Sequence, residues 1–501
     1  MYRKADKAQM SIADFFMPFG GTLDENNRWV KLTELMPWDL IEDLYAENFN
    51  NDRTDGRPAY PSRIAFGAIY IKEQENLTDE RTVEYISENP YMQYFLGLLE
   101  FTQKRLFDPS MMVHFRKRFP ASSIAEINEE LYSRTHDDNK LNDDSNKPDD
   151  GVHSGSVDEN AQSNLAEPTE NSGVLIVDAT CAPSDIRYPQ DLSLLNECRE
   201  NTEAMIDILW EFTERSGHKT PYSRKKAHRE YLKVAKQRKP RSSAMRNAIG
   251  KQLEYIRKSL AVIDGIPTAI VEAVLSERKQ KRLETIREVY NQQKRMYDEH
   301  THSCKNRIVN LRQPHVRTIV RGKAGKRYEF GQKLEFSVVD GFTFIERQEW
   351  EPYNEGVGLI NCIEHFRQRF GTYPEAVLVD QIYRNKDNRA FCKKHGIRIS
   401  GPRLGRPKAD EHDENEKQTY SDNCARNEVE GKNGTVKRRY GLDLIMAYLQ
   451  ETAETEAALN VLAMNMAHCL RRLLRALYRW LDTVVLRLLC DTHARFCPFF
   501  S

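Results

Sequence analysis

Two aspartates stand where they could hold a divalent cation. Asp178 follows the apolar run VLIV, and Asp380 follows the apolar run AVLV. Continuous apolar runs are typical of strands buried on both faces of a sheet, so we expect each aspartate to end a strand. Carboxylates at neighbouring strand ends repel each other unless a cation lies between them. Oxygen ligands of this kind favour Mg²⁺ or Mn²⁺.

A site that holds two metal ions for phosphodiester chemistry needs a further acidic ligand. The segment CARNEVEGKNGTVKRRYG offers Glu428 and Glu430 among basic residues. At about 100° per residue of helix, Arg426, Glu430 and Lys437 share one face, whereas Glu428 points to the opposite side. If that face looks at the two aspartates, Glu430 is the third ligand. The alternative is a charged, solvated helix with ordinary side-chain pairs.

The segments VDAT, LVDQIYRNKDN and RNEVEGKNGTVKRRYGL resemble the three acidic motifs of the DDE transposases of bacterial insertion sequences, in the group related to insertion sequences four and five. The third motif of that group is Tyr, two residues, Arg, three residues, Glu, six residues, Lys. Arg426, Glu430 and Lys437 match its last three members, and Asn423 stands at the tyrosine position. Residues 55–98 and 107–118 also resemble the helical N-terminal domain of these transposases.

The resemblance implies an α/β, RNase H-like catalytic domain in which Asp178, Asp380 and Glu430 are catalytic and bind two Mg²⁺ (or Mn²⁺) ions. Such a site hydrolyses DNA at the ends of the insertion sequence and then transfers the 3′ ends to target DNA. The implied partners are terminal inverted repeats and target DNA, with a homodimer holding the two ends. Two alternatives stay open, a metal-dependent nuclease without strand transfer and a transposase-derived DNA-binding protein that has lost catalysis.

The resemblance also implies residues that contact DNA. Arg426 and Lys437 would hold phosphates beside the scissile bond. The remaining expected contacts come from the basic end of the third motif and from the residues after the second aspartate: Lys432, Arg438, Arg439, Tyr383 and Arg384.

The chain divides into four regions by composition. Residues 1–135 read as an all-helical DNA-binding domain, with a helical packing domain as the alternative. Residues 136–173 hold ten Asp or Glu against two Lys and predict an acidic disordered linker. Residues 174–470 read as the catalytic domain, with a helical insertion at about 193–306. Residues 471–501 read as a C-terminal helical tail.

The insertion holds a concentrated basic segment. Arg215 to Lys258 contains fifteen Lys or Arg and two Glu. A density this high favours a polyanion-binding surface over an ordinary solvated helix face. Farther along, Asp340 and Gly341 predict a tight hairpin, and GKAGKRY predicts a basic turn, since it lacks the spacing of a phosphate-binding glycine loop.

The overall composition is that of a soluble protein. Net charge is zero and 30% of the residues are charged. The nine cysteines include no CxxC pair, which favours reduced thiols inside the cell. Cys181, close to Asp178, is better explained as a small buried residue than as a nucleophile. The late apolar stretch Leu470 to Cys490 carries several arginines, which excludes a membrane span. We therefore expect a cytoplasmic, nucleoid-associated protein.

Overall fold

Six strands form one mixed sheet in the computed structural model, which describes residues 11–17, 20–49, 58–143, 170–213, 219–320, 328–402 and 412–496. The strands are β1 (Val174–Pro183), β2 (Arg317–Val320), β3 (Tyr328–Val339), β4 (Phe342–Glu349), β5 (Ala376–Leu378) and β6 (Arg398–Ile399). Strand β1 lies between β3, which runs antiparallel to it, and β5, which runs parallel to it. Strand β6 continues the sheet beyond β5, and β2 and β4 both pair with β3. The sheet is therefore antiparallel on one side of β1 and parallel on the other.

The expectation that Asp178 ends its strand is wrong for one edge of β1. Pairing with β3 continues past Asp178 to Pro183, because the residues Ala179 to Pro183 keep an antiparallel register with that strand. Pairing with β5 stops at Ile176, opposite Leu378. Asp178 and Asp380 each come two residues after that last parallel pair. They therefore occupy equivalent positions just beyond the end of the parallel ladder.

The predicted hairpin is confirmed. Val339 pairs with Phe342, and the two residues between them, Asp340 and Gly341, both have positive φ angles, of 49° and 82°. Positive φ at both central residues is the geometry of a type I′ turn, whose twist matches that of the flanking strands.

The described residues between β1 and β2 form helices around a core of their own. These are α8 (Asp191–Trp210), α9 (Arg224–Ala235), α10 (Ser242–Asp264), α11 (Thr268–Val274) and α12 (Glu277–Asp298). Leu195, Ile206, Ile256 and Ile286 are fully buried in one apolar cluster that is built from this region. The helical insertion thus buries its own apolar residues.

Seven α-helices precede the sheet in the described part of the chain: α1 (Arg28–Leu35), α2 (Trp38–Glu47), α3 (Ser62–Glu75), α4 (Asp79–Glu88), α5 (Pro90–Phe95), α6 (Met111–Arg118) and α7 (Ala121–Asp143). Helix α7 continues past residue 136, where we expected the acidic linker to begin. Residues 144–169 of that linker lie outside the described residues, as does most of the expected basic turn, at 321–327.

Four helices accompany or follow the parallel strands: α13 (Leu359–Phe370), α14 (Lys386–Lys394), α15 (His412–Tyr440) and α16 (Gln450–Phe496). Helix α15 begins twelve residues before the segment CARNEVEGKNGTVKRRYG, which starts at Cys424. Helix α16 runs through residue 471 without a break, so residues 471–496 continue a core helix, and residues 497–501 lie outside the described residues. None of the described helices is long and apolar enough to cross a membrane.

The N-terminal helices pack into the same core as the sheet. One apolar cluster contains Phe66 and Phe119 from the N-terminal region, Phe336 from β3 and Leu459 from α16. Polar contacts join the same parts, since Asn465 on α16 donates to Asn128 on α7 at 2.7 Å. The N-terminal helices are therefore an integral layer of the fold.

Two cations of the basic helix α6 contribute to this packing. Arg116 is buried and donates to both carboxylate oxygens of Asp79, at 2.9 and 2.7 Å. The Arg118 guanidinium lies 3.5 Å from the centre of the Phe49 ring. Lys117 is exposed. The charge of this helix thus stabilises the N-terminal region to a large extent.

A buried ionic cluster ties α3 to α16. The Lys72 ammonium lies 2.7 Å from Glu73 and 3.0 Å from Glu456, and all three side chains are less than 10% exposed. Burial is the main influence on the pKa of Glu73 and raises it to about 7, against the opposing pull of Lys72. The Lys72 ammonium therefore offsets the burial of two carboxylates.

Replacing Lys72 with methionine is expected to lower the free energy of unfolding by about 3–5 kcal/mol, because two buried carboxylates lose the cation that lies within 3.0 Å of both. Urea denaturation measures this change. The matched control is Lys31→Met, which removes a partly exposed ammonium 3.5 Å from Glu34 and is expected to cost about 1 kcal/mol or less. Equal effects of the two substitutions would contradict the importance of the buried cluster.

Candidate active site

Helix α15 covers the face of the sheet on which the two aspartates lie. Val429 of α15 is fully buried in a small cluster with Ile176, Val338 and Leu378. Side chains two residues apart in an extended chain share a face. Asp178 and Asp380 follow Ile176 and Leu378 by two residues, so both carboxylates emerge beneath α15.

Direct contacts join α15 to both aspartates. The Asn433 amide donates to Asp178 Oδ2 at 2.9 Å, one helical turn beyond Val429. The Arg426 guanidinium lies 2.7 Å from Asp380 Oδ1 and 3.8 Å from Glu430 Oε1. All three acidic motifs therefore converge at one end of the parallel ladder.

The carboxylates influence one another. Burial, together with the negative charges of Asp380, Glu355 and Glu430, raises the pKa of Asp178 to about 6, against a backbone hydrogen bond from Ala179. The charge of Glu428 acts on Lys432, four residues along the same helix. The two glutamates of α15 therefore have different charged neighbours.

The donor atoms at this site are those that a hard cation prefers. The nearby side chains present carboxylate oxygens, and the buried Asn433 Oδ1 has no hydrogen-bond partner within the described part of the chain. Mutual repulsion between the carboxylates favours a bound cation. In the described residues, however, no group of three or more His, Cys, Asp or Glu side chains is arranged to hold a metal ion. Asp380 and Glu430 are 56% and 62% exposed, so both side chains have room to turn.

Glu355 is an acidic neighbour that the sequence did not reveal. Its carboxylate lies 2.7 Å from the Lys333 ammonium. The loop that carries it is held by Asn385 and Asn388, whose amides donate to the Gly356 carbonyl at 2.8 and 2.7 Å. These asparagines belong to the segment after Asp380, so this segment anchors the loop beside the site. No periodic or motif signal marks Glu355 in the sequence.

Asn433 was also missed, although a signal was present. It follows Arg426 by seven residues, which places it about 20° away on the helical wheel, within the face already assigned to the site. Its amide carries no charge that would mark it as a metal ligand in the sequence.

Two of the expected DNA contacts have other roles in the structure. Tyr383 is fully buried, and its hydroxyl donates to Glu335 Oε1 at 3.0 Å. Tyr383 therefore has a packing role in place of the expected DNA contact, because its ring belongs to the apolar core. Arg384 donates to the Pro402 carbonyl at 2.5 Å and packs beside Gly401, so it supports the loop after β6.

The basic residues at the end of α15 point in different directions. Lys432 donates to the Gly341 carbonyl in the β3–β4 turn, and burial lowers its pKa. Lys437 is half-buried. Arg438 and Arg439 are exposed, the first donating to the Gly434 carbonyl at 3.2 Å and the second lying 5.7 Å from the centre of the Tyr440 ring. The two arginines are the residues of this group that face solvent.

Comparison with known proteins matches two separate parts of the chain. Residues 377–467 match a transposase DDE domain, and residues 19–118 match a transposase domain of the DUF772 type. The first match includes Asp380 and Glu430, and Asp178 lies before it. An uncharacterised protein, ORF8 of the nfe locus in Rhizobium meliloti, is 34% identical over 98 residues, which cover 20% of this chain and 46% of that protein. No solved structure gives a significant match.

Proposed function

We propose that this chain, a DDE transposase of the insertion-sequence type, cuts DNA at the ends of its element and transfers the 3′ ends to target DNA. The observation that carries the proposal is the convergence of the three acidic motifs beneath one face of α15. Asn433 contacts Asp178, and Arg426 contacts both Asp380 and Glu430. These motifs are far apart in the sequence, and a merely solvated helix would not bring them together.

The strand arrangement supports an RNase H-like catalytic domain. Strand β1 pairs with β3, and β3 pairs with β4, in antiparallel order. On the other edge of β1 the parallel strands β5 and β6 follow. Ligands of α/β sheets bind beyond the carboxyl ends of parallel strands. Asp178 and Asp380 stand at that place.

The proposed ligands of two Mg²⁺ ions are Asp178, Asp380 and Glu430. Bound metal would lower the pKa of the attacking hydroxyl and stabilise charge on the leaving oxygen. The carboxylates of Asp380 and Glu430 are 56% and 62% exposed, which leaves room for them to turn towards Asp178. Such a turn would separate Asp380 from Arg426 and free that guanidinium for a phosphate oxygen.

The proposed DNA track leads from the carboxylates along α15. Arg426 stands beside Asp380, half-buried Lys437 lies about three turns farther on, and the exposed Arg438 and Arg439 follow it. Because the chemistry joins two DNA ends to one target, we propose a homodimer in the complex with DNA.

The direct test is cleavage of DNA that carries the inverted repeats flanking the gene. We expect Mg²⁺-dependent nicks at the element ends, and no nicks when EDTA replaces the metal. A duplex of equal length with scrambled terminal sequences is the control. Cleavage of both duplexes at equal rates would favour a general nuclease instead.

A further inference from the structure

The outer face of α9 and its C-cap residue Lys236, in the helical insertion, carry four cations that do not serve the protein's own packing. At about 100° per residue, Lys225, Arg229, Lys233 and Lys236 lie within an arc of about 80°. All four are exposed. The buried residues Ala227 and Val234 lie on the opposite side, where Val234 packs against Leu192 and Ala248. The helix therefore buries one side and presents a row of positive charge on the other.

The acidic groups around α9 are already bound to other partners. Asp207 pairs with Arg224 at 2.7 Å, and Glu230 accepts from Lys251 and Tyr255 at 3.0 and 2.8 Å. Glu200 pairs with Arg199 at 3.2 Å. Within the described ranges, no carboxylate forms an ion pair with the four cations of the row.

The rest of the basic segment behaves differently. The Arg246 guanidinium lies 4.2 Å from the centre of the Tyr297 ring, and Arg257 and Lys258 lie 2.7 and 3.5 Å from Glu254. These cations stabilise the insertion itself. The positive surface thus includes only part of the basic segment Arg215 to Lys258 that the sequence predicts. It comprises the α9 row, the neighbouring Lys226 and the exposed cations of the following turn, Arg238, Lys239 and Arg241.

We propose that the α9 row, formed by Lys225, Arg229, Lys233 and Lys236, binds the sugar-phosphate backbone of duplex DNA outside the cleavage site, an inference that rests on the proposed transposase function. From Lys225 to Lys236 the row is about 16 Å long. Duplex DNA carries one negative charge per roughly 1.7 Å of axis, so a straight cationic row of this length faces several phosphates. The row consists of lysine and arginine alone, and contacts from such residues to phosphate oxygens carry no sequence information. The contact fixes the position of DNA rather than its sequence.

The test combines Lys225→Gln, Arg229→Gln, Lys233→Gln and Lys236→Gln in one full-length variant. Its affinity for a 40-base-pair duplex without inverted repeats is measured at several salt concentrations in EDTA, where no cleavage occurs. If each cation contacts a phosphate, the slope of log affinity against log salt falls by about 2–4, and affinity at 0.1 M salt falls on the order of 10²-fold. Glutamine has a helix propensity close to that of lysine, so the helix is preserved.

The matched control removes four cations of the same insertion that already have carboxylate partners. Arg257, Lys281, Lys294 and Arg295 lie 2.5–2.9 Å from Glu254, Glu277, Asp298 and Glu299. Replacing these four by glutamine changes the net charge equally, and we expect a slope change below about 1. Two double variants of the row, Lys225→Gln/Arg229→Gln and Lys233→Gln/Lys236→Gln, are each expected to give about half of the full effect, even where the quadruple variant is poorly folded.

Three outcomes would overturn this assignment. An unchanged slope in the row variants would show that DNA does not contact α9. Equal losses in row and control variants would show that only net charge matters. Tighter DNA binding by the row variants would show that the row's occupant is the chain's own acidic segment at 136–173. Failure of the transposase function is seen separately, as absence of cleavage in Mg²⁺ by a protein that still binds DNA with the full salt slope.

Discussion

Replacing Glu430 with glutamine is expected to lower the rate of DNA cleavage by about 10³-fold or more, whereas Glu428→Gln leaves the rate near that of the unchanged protein. Charge stabilisation by a bound metal is worth several kcal/mol, and each 1.4 kcal/mol is about tenfold in rate. Glu430 shares Arg426 with Asp380, whereas the charge of Glu428 acts on Lys432. The two glutamates are two residues apart on one helix, so each variant controls for the other.

The measurement is the initial rate of nicking of a labelled duplex that carries an element end, in Mg²⁺. Both variants keep the length and shape of the side chain and remove one negative charge, so a simple effect of net charge would alter both rates alike. A slow Glu428→Gln variant with a normal Glu430→Gln variant would show that the wrong face of α15 has been assigned.

Replacing Asp178 or Asp380 with asparagine is expected to abolish cleavage to a similar extent and to leave DNA binding nearly intact. Asparagine keeps an oxygen that can accept the Asn433 hydrogen bond, so local packing beside β1 is preserved. It removes the charge that a divalent cation needs. At Asp178 it also relieves repulsion, because Asp380, Glu355 and Glu430 raise the pKa of that carboxyl.

Nicking rate and DNA affinity are measured on the same preparations, with thermal unfolding as the check on folding. The Asp178→Asn variant is expected to unfold at the same temperature as the parent or above it, since a partly buried charge has been removed. Parallel loss of cleavage and affinity in a folded variant would argue against a metal site at these aspartates.

Local sequence patterns predicted the positions of the two aspartates well and the strand boundaries less well. Apolar runs placed Asp178 and Asp380 beside each other, because a run buried on both faces is a strong signal of a central strand. They did not show that β1 continues to Pro183. That extension depends on pairing with β3, which lies far away in the sequence and is separated from β1 by the whole insertion.

Helical periodicity places Glu430 and Asn433 on one face of α15 and Glu428 on the opposite face. It could not identify Glu355, which lies outside this helix. The position of Glu355 depends on Asn385 and Asn388, which hold its loop through the Gly356 carbonyl. Such contacts between loops leave no periodic trace in a sequence. The start of α15 at His412 could not be predicted either, because the segment HDENEK has no apolar residue to mark a helix.

The arrangement of the N-terminal helices was also beyond the reach of local patterns. Their apolar faces were visible in the sequence, but the surface that they cover was not. In the structure they pack against α16 and share its core, with Lys72 and Glu456 as a buried polar connection. A DNA-binding role for this region remains a prediction.

The proposed joining of element ends to new DNA is tested most directly by a strand-transfer assay. Purified protein is incubated in Mg²⁺ with a DNA fragment that carries both flanking inverted repeats and with a circular target plasmid, and the junctions are sequenced. The predicted result is covalent joining of the 3′ ends of the element to the target, lost in the Asp178→Asn variant. Nicked ends without any junction to the target would contradict the claim and would leave a metal-dependent nuclease.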